Sequence, residues 1–217
     1  MDSSLTEIVV ILDRSGSMTS CRADMEGGLR TFVEDQKKQP NRATFTLVQF
    51  DNTYEIVHDG VDLASVDPTS IVLVPRGSTA LYDAIGRTVN TVGERLAATP
   101  EEKRPGLVIV MIVTDGMENA SSEFSSPMIV EMVKRQQEEY GWQFVYLGAD
   151  HDAIAASKGI GVSVHTSSAY SKSNVAGTYG MMTNKVARAR TMNASGQCLS
   201  GVMDFTEDEK RELEDES

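Results

Sequence analysis

Ile8-Val9-Val10-Ile11-Leu12-Asp13-Arg14-Ser15-Gly16-Ser17 is the stretch on which the fold turns. Five apolar, mostly β-branched residues read as a short buried strand. The strand runs directly into an Asp-x-Ser-x-Ser loop. Carboxylate and hydroxyl oxygens are hard ligands, suited to a hard cation such as Mg²⁺. The alternate spacing lets one tight loop aim Asp13, Ser15 and Ser17 inward, with Gly16 expected to relieve crowding between the serines. Two later segments offer the oxygens such a site still needs: Gly77-Ser78-Thr79-Ala80-Leu81 and Thr114-Asp115-Gly116.

The residues around this loop read as alternating strands and helices. A helix is expected over 22–38, with Met25, Leu29, Phe32 and Val33 at helical spacing and Gly27-Gly28 marking a close approach. Ala43 to Phe50 reads as a strand, and Asp51-Asn52 as a turn into a second one at 53–57. Residues 59–70 read as a loop, and 71–74 as a short extended piece ended by Pro75. Ala80 to Ala98 carries the apolar stripe Leu81, Ile85, Val89, Val92 and Leu96 of a helix. Leu107 to Val113, the most apolar stretch, should be a central parallel strand covered on both faces. A helix over 127–140, a strand over 143–147, a short helix over 150–158, a last strand over 162–165 and a closing helix over 172–191 follow. The expected architecture is α/β: an open, doubly wound, mostly parallel sheet with helices on both faces and one antiparallel edge strand. Residues 1–200 are expected to form one domain, with an acidic tail over 201–217 that is mobile or partly helical.

Bulk composition narrows the function classes. The 217 residues can bury a full core, and the formal net charge of −12 argues against a nucleic-acid binder. Asp204 to Ser217 holds eight carboxylates against Lys210 and Arg211, half of that net charge. No leader pattern or membrane-spanning run is visible, and Cys21 and Cys198 have neither zinc nor disulfide-scaffold spacing. Two reduced thiols in a cytoplasmic protein are the expectation. His58, His151 and His165 share no ligand spacing. Asp150 and Asp152 read as a helix cap, and Met181, Met182, Met192 and Met203 as packing residues.

In doubly wound sheets, ligands sit at the carboxyl ends of strands, at a topological switch point. Asp13 and Asp115 each follow a strand, and Thr79 sits in a loop that opens a helix. Three neutral hydroxyls and two carboxylates would leave Mg²⁺ electrophilic, with a position for an external carboxylate. With these motifs in order, the chain resembles the von Willebrand factor A superfamily over roughly residues 5–165. Asp13-x-Ser15-x-Ser17, Gly77-Ser78-Thr79 and Thr114-Asp115-Gly116 match its metal-ion-dependent adhesion motifs. The resemblance implies a Rossmann-like fold, with Ser15, Ser17 and Thr79 coordinating the cation directly and Asp13 and Asp115 directly or through water. The flanking text is similar to small single-domain bacterial or phage-type members, from which no activity carries over. Nothing in the resemblance speaks to residues 166–217. Asp51, Glu118 and Asn119 fall beside the expected rim, as turn and cap residues or as residues that orient loops.

The leading expectation is a non-enzymatic, Mg²⁺-dependent protein-interaction module, with Mn²⁺ or Ca²⁺ as alternative ions. Its partner would be a protein presenting Asp or Glu, and the resemblance makes a ring-shaped ATPase plausible. A carboxylate of the acidic tail in a second copy is another candidate for that position. Two alternatives stand beside it: a Mg²⁺-dependent hydrolase, and a structural subunit stabilised by the metal. Haloacid-dehalogenase-like phosphatases carry a nucleophilic Asp after a first strand, but they need a second Asp two positions on, where this chain has Ser15. A phosphate loop is missing, and a two-metal nuclease needs more carboxylates than Asp13 and Asp115.

Overall fold

The structure is a computed structural model that describes residues 1–149 and 153–215. β1 (Asp2–Asp13), β2 (Arg42–Phe50), β3 (Tyr54–Asp62), β4 (Pro105–Thr114), β5 (Gln143–Gly148) and β6 (Ser167–Ala169) form one sheet in the order β3-β2-β1-β4-β5-β6. All neighbours pair in parallel except β2 and β3, so β3 is the antiparallel edge. The helices are α1 (Arg22–Lys37), α2 (Leu81–Ala98), α3 (Ser126–Tyr140), α4 (Ala153–Gly159), α5 (Val175–Ala194) and α6 (Glu207–Glu214). The α/β, doubly wound, mostly parallel architecture expected from the sequence is what forms.

The period-two alternation of a strand sends neighbouring residues to opposite faces. Ile8, Val10 and Leu12 of β1 pack under α1, α5 and α6; Val9 and Ile11 pack under α2, α3 and α4. Both faces are therefore covered, which is why β1 and β4 read as nearly unbroken apolar runs. Close packing explains Gly28: a Cβ there would come within 2.3 Å of the Tyr179 ring on α5. Met182 and Met203 are buried in that same core, with Met181 and Met192 packed against it.

Two segments differ from the sequence reading, β3 and the last strand, while residues 71–74 and the acidic tail stay within it. β3 continues to Asp62, through residues read as loop, because Phe45 and Thr44 keep pairing with Val61 and Asp62 past a register shift. Gly60, with φ +58°, occupies that irregularity. Residues 71–74 add no strand to the sheet; Ile71 and Leu73 are buried in the core, and Gln49 Nε2 donates to the Val72 carbonyl at 2.9 Å. The apolar alternation at 162–165 does not mark the last strand. Val162 packs into the core instead, a 3₁₀ turn covers Val164–Thr166, and the sheet is completed by the buried Ser167-Ser168-Ala169. The acidic tail is ordered as α6: Thr206 and Glu209 form a capping box, and Leu213 is fully buried.

Cys21 is buried and Cys198 exposed, and both are free thiols. Among the described residues, no helix is long and apolar enough to cross a membrane. Asp150, His151 and Asp152, together with the start of the expected 150–158 helix, lie outside the described residues.

Candidate metal centre

The strand order reverses between β1 and β4, where β1 connects to β2 on one side and β4 to β5 on the other. Asp13 ends β1, and Thr114-Asp115 ends β4. The first and third motif segments thus meet at the switch point, as doubly wound sheets require. Asp13 is fully buried, with Oδ1 accepting the Ser15 N–H and Oδ2 accepting the Thr114 hydroxyl, each at 2.6 Å. Ser15 Oγ lies 3.0 Å from Ser17 Oγ, and Ser17 Oγ donates to Asp115 Oδ1 at 2.6 Å. Burial pushes the Asp13 carboxyl up to about 6; the hydrogen bonds from Thr114 and Ser15 oppose that shift, and the charge of Asp115 adds to it.

Thr79 arrives from the second segment and faces the same point. A Cβ built on Gly116 would stand 3.0 Å from Thr79 Oγ1, 3.6 Å from Ser17 Oγ and 3.7 Å from Asp13 Oδ2. Oxygens from the first and second segments thus surround a space that any side chain at Gly116, in the third, would enter. The donors are hydroxyls and carboxylates only, the set that a hard divalent cation takes. Among the described residues, no group of three or more His, Cys, Asp or Glu side chains could hold a metal ion. A cation here therefore depends on Ser15, Ser17 and Thr79 as much as on Asp13 and Asp115.

Backbone contacts bring the three loops together. Gly16 N–H donates to the Gly77 carbonyl at 3.2 Å, and Arg76 N–H to the Arg14 carbonyl at 2.9 Å. Gly77 has φ +67°, and a Cβ there would fall 2.1 Å from Asn52 Oδ1, so this position demands glycine. Gly16 is under no such demand: a Cβ would meet only the Gly77 carbonyl, at 3.5 Å, so crowding between the serines is not its role.

The three expected rim residues act on loops. Asp51 is buried and accepts from Arg14 Nε at 3.2 Å and Arg76 Nε at 2.7 Å. Burial would raise this carboxyl, but Arg76, the Thr53 N–H and Arg14 hold it below the ordinary value. Asn119 Oδ1 accepts the Thr79 N–H at 2.9 Å, and the Asn119 N–H returns a bond to the Thr79 carbonyl at 3.0 Å. Glu118 accepts the N–H groups of Tyr82, Ala120 and Ser121, which ties its own turn to the start of α2.

Two charged residues at this end of the sheet were not legible as site residues. Asp83, on the first turn of α2, accepts the N–H groups of Ser122, Glu123 and Phe124 and so anchors the loop after Asp115. Its only sequence signal was an acid in a helix first turn, a common placement. Lys172 lies between β6 and α5, and its Nζ stands 2.5 Å from Asp115 Oδ2. No motif or periodicity marks it. A cavity of about 370 Å³ opens beside Asp115 and Gly116, bordered by Tyr82, Met117, Tyr146 and Ala153.

Comparison with solved structures gives the class. No protein-family model and no curated protein sequence matches the chain. Proximal thread matrix protein 1 from the mussel byssus, solved with a zinc-occupied MIDAS motif, superposes with a TM-score of 0.60 at 16% identity, covering 84% of this chain and 46% of that one. A von Willebrand factor type A protein from Catenulispora acidiphila gives 0.58 at 15% identity, over 84% of this chain and 42% of that one. The manganese-loaded Plasmodium vivax TRAP protein gives 0.54 at 14% identity, over 82% and 72%. The chain has the von Willebrand factor A fold. It spans less than half the length of the mussel and Catenulispora proteins.

Proposed function

We propose that this chain is a non-enzymatic, divalent-cation-dependent protein-interaction module. Ser15, Ser17 and Thr79 hold the cation, with Asp13 and Asp115 beside it directly or through water. Mg²⁺ is the ion proposed, with Mn²⁺ and Ca²⁺ as alternatives. When bound, the cation supplies a Lewis-acidic position that takes an Asp or Glu carboxylate of a partner protein. The observation that carries this reading is the ring of Thr79, Ser17 and Asp13 oxygens around Gly116 at the sheet's switch point. Mostly neutral hydroxyl donors leave the ion with charge to offer an external anion.

A hydrolase finds less support at the same place. Asp13 accepts two hydrogen bonds and is fully buried, a poor position for a nucleophile. We place the protein in the cytoplasm, in keeping with its free thiols, and keep its likeness to small bacterial or phage-type domains as part of the proposal.

Affinity capture from host lysate, with Mg²⁺ and with chelator, tests the module. The wild-type chain should retain a partner only with Mg²⁺, and the Ser15→Ala/Ser17→Ala chain should stay folded and retain none. Equal capture in excess chelator refutes the reading. A double variant that unfolds would instead support the structural-subunit alternative. Mg²⁺-dependent phosphatase or nuclease turnover lost in Asp13→Ala would support the hydrolase.

A further inference from the structure

One residue of the β2–β3 turn joins the first two loops of the centre. The Asp51 side chain is completely buried, and its Oδ2 accepts from Arg14 Nε at 3.2 Å and from Arg76 Nε at 2.7 Å. Arg14 stands between Asp13 and Ser15, and Arg76 three residues before Thr79. The backbone repeats the connection. Arg14 N–H donates to the Phe50 carbonyl at 2.8 Å, and Ala80 N–H to the Asp51 carbonyl at 3.0 Å. The 76–80 loop is therefore pinned at both ends by Asp51, with Thr79 between the pins. This clamp is costly to keep. Arg14 is buried, and although its Nη1 donates to Glu55, the buried Nη2 has no hydrogen-bond partner among the described residues. A buried guanidinium nitrogen left unpaired lowers stability, and apolar side chains would support the loops at less cost. What the ion pairs add is a fixed register between the loops.

We propose that Asp51 sets the place of Thr79 in the metal centre, and that the hold on the divalent cation depends on this setting. This rests on the metal-centre reading given above and deepens it. Thr79 is the one expected ligand from the second segment. Its Oγ1 faces the same point as the Ser17 and Asp13 oxygens only while the 76–80 loop keeps its register on the first loop. Asn119 fixes Thr79 from the loop after Asp115, and Asp51 fixes it from the opposite direction. Without the Asp51 carboxylate, Arg14 and Arg76 lose the acceptor that joins them, and Thr79 is held from one side only. Groups outside the ligand set that orient the ligands commonly carry about tenfold or more of a site's metal affinity. Asp51 is a positioning residue here, acting through Arg76 and Thr79.

Calorimetric titration of Mg²⁺ and Mn²⁺ into the full chain tests this, using wild type, Asp51→Asn, Arg76→Met, Thr79→Ala and the Asp51→Asn/Thr79→Ala pair. Asp51→Asn should bind the cation on the order of tenfold more weakly. In the Thr79→Ala background the same change should cost no more than about twofold, because the ligand it places is gone. Arg76→Met separates position from charge. Removing a positive charge near the site would by itself tighten cation binding, whereas losing the clamp should weaken it several-fold. The Arg76 side chain is 55% exposed, so this variant carries the test even where Asp51→Asn does not fold. Equal affinity in wild type and Asp51→Asn overturns the proposal and leaves the metal centre standing, as does unchanged or tighter binding by Arg76→Met. An Asp51→Asn loss of the same size with and without Thr79 also overturns it, because Asp51 would then act through its charge alone. Wild-type affinity in Thr79→Ala overturns it together with the part of Thr79 in the centre. No cation binding by the wild-type chain overturns both readings.

Discussion

Thr114 and Asp13 meet across the β1–β4 seam, with the Thr114 hydroxyl donating to Asp13 Oδ2 at 2.6 Å and both side chains fully buried. The bond joins the last residues of two neighbouring strands, so it fixes one loop of the site against another. Thr114→Val keeps the shape and removes the donor. Leaving a buried carboxyl oxygen short of a partner costs about 1–3 kcal/mol. Chemical denaturation without added metal should show that loss. Cation affinity should fall as well, because Asp13 loses a donor that favours its charged form. Unchanged stability and affinity would show that the seam does not depend on this bond.

The buried Asp13 carboxyl gives a pH dependence with a definite sign. Folding raises it from 3.8 to about 6, so the folded chain holds this proton more tightly than the unfolded one. Its contribution to stability is fully present below pH 4 and is lost as pH rises through 6, by at most about 3 kcal/mol. Asp13→Asn should flatten that part of the metal-free stability profile. Cation binding must displace the same proton, so affinity should fall up to about tenfold per pH unit below pH 6 and level off above it. Calorimetric titrations at pH 5, 6 and 7 check this, and a flat series would contradict it.

Gly116 keeps the ring of oxygens open. Gly116→Ala would place a Cβ 3.0 Å from Thr79 Oγ1, between donors from different loops. Thr79 Oγ1 would have to give by a few tenths of an ångström. Cation affinity should therefore drop at least about tenfold, while thermal unfolding without metal moves by no more than a few degrees. Mg²⁺-induced stabilisation, measured in both proteins, separates the two effects. Wild-type affinity in the alanine variant would remove Gly116 from the site.

Asp83 acts at a distance from the cation position. Burial alone would raise its carboxyl, but the N–H groups of Ser122, Phe124 and Glu123 hold it below the ordinary value. A depressed carboxyl contributes stability that is present above pH 4 and lost as pH falls through its lowered value. Asp83→Asn should cost about 1.5–3 kcal/mol near neutral pH, the range for hydrogen bonds to a charged group. Its effect should shrink in acid. A stability loss that persists unchanged at low pH would point to packing instead.

Much of the fold was legible because its signals are local. The alternation at 8–12, the stripe from Leu81 to Leu96 and the apolar run at 107–113 each report burial within a few residues. The last strand was not, because Ser167-Ser168-Ala169 carries no apolar pattern and owes its place to pairing with β5. The tail was read as mobile or partly helical, and how it docks was not legible for a related reason. Its eight carboxylates mark a solvated face, yet the buried Leu213, a capping box, the Lys185–Glu209 pair and the bonds that Ser171 and Asn174 donate to its carbonyls dock α6.

By itself, the sequence determined the sheet class and the oxygen chemistry of Asp13, Ser15, Ser17, Thr79 and Asp115, since hydroxyls and carboxylates after strands define what a site can accept. Only the tertiary structure decided which of these oxygens face one another. It also set Gly116 so close to them that a Cβ there would stand 3.0 Å from Thr79 Oγ1. Lys172 reaches Asp115 across 57 residues of chain. That contact depends on how α6 and β5 hold the loop between them, and no spacing in the sequence encodes it. Local patterns record what each segment buries; a charge brought in from a distant segment is recorded only in the packing that delivers it.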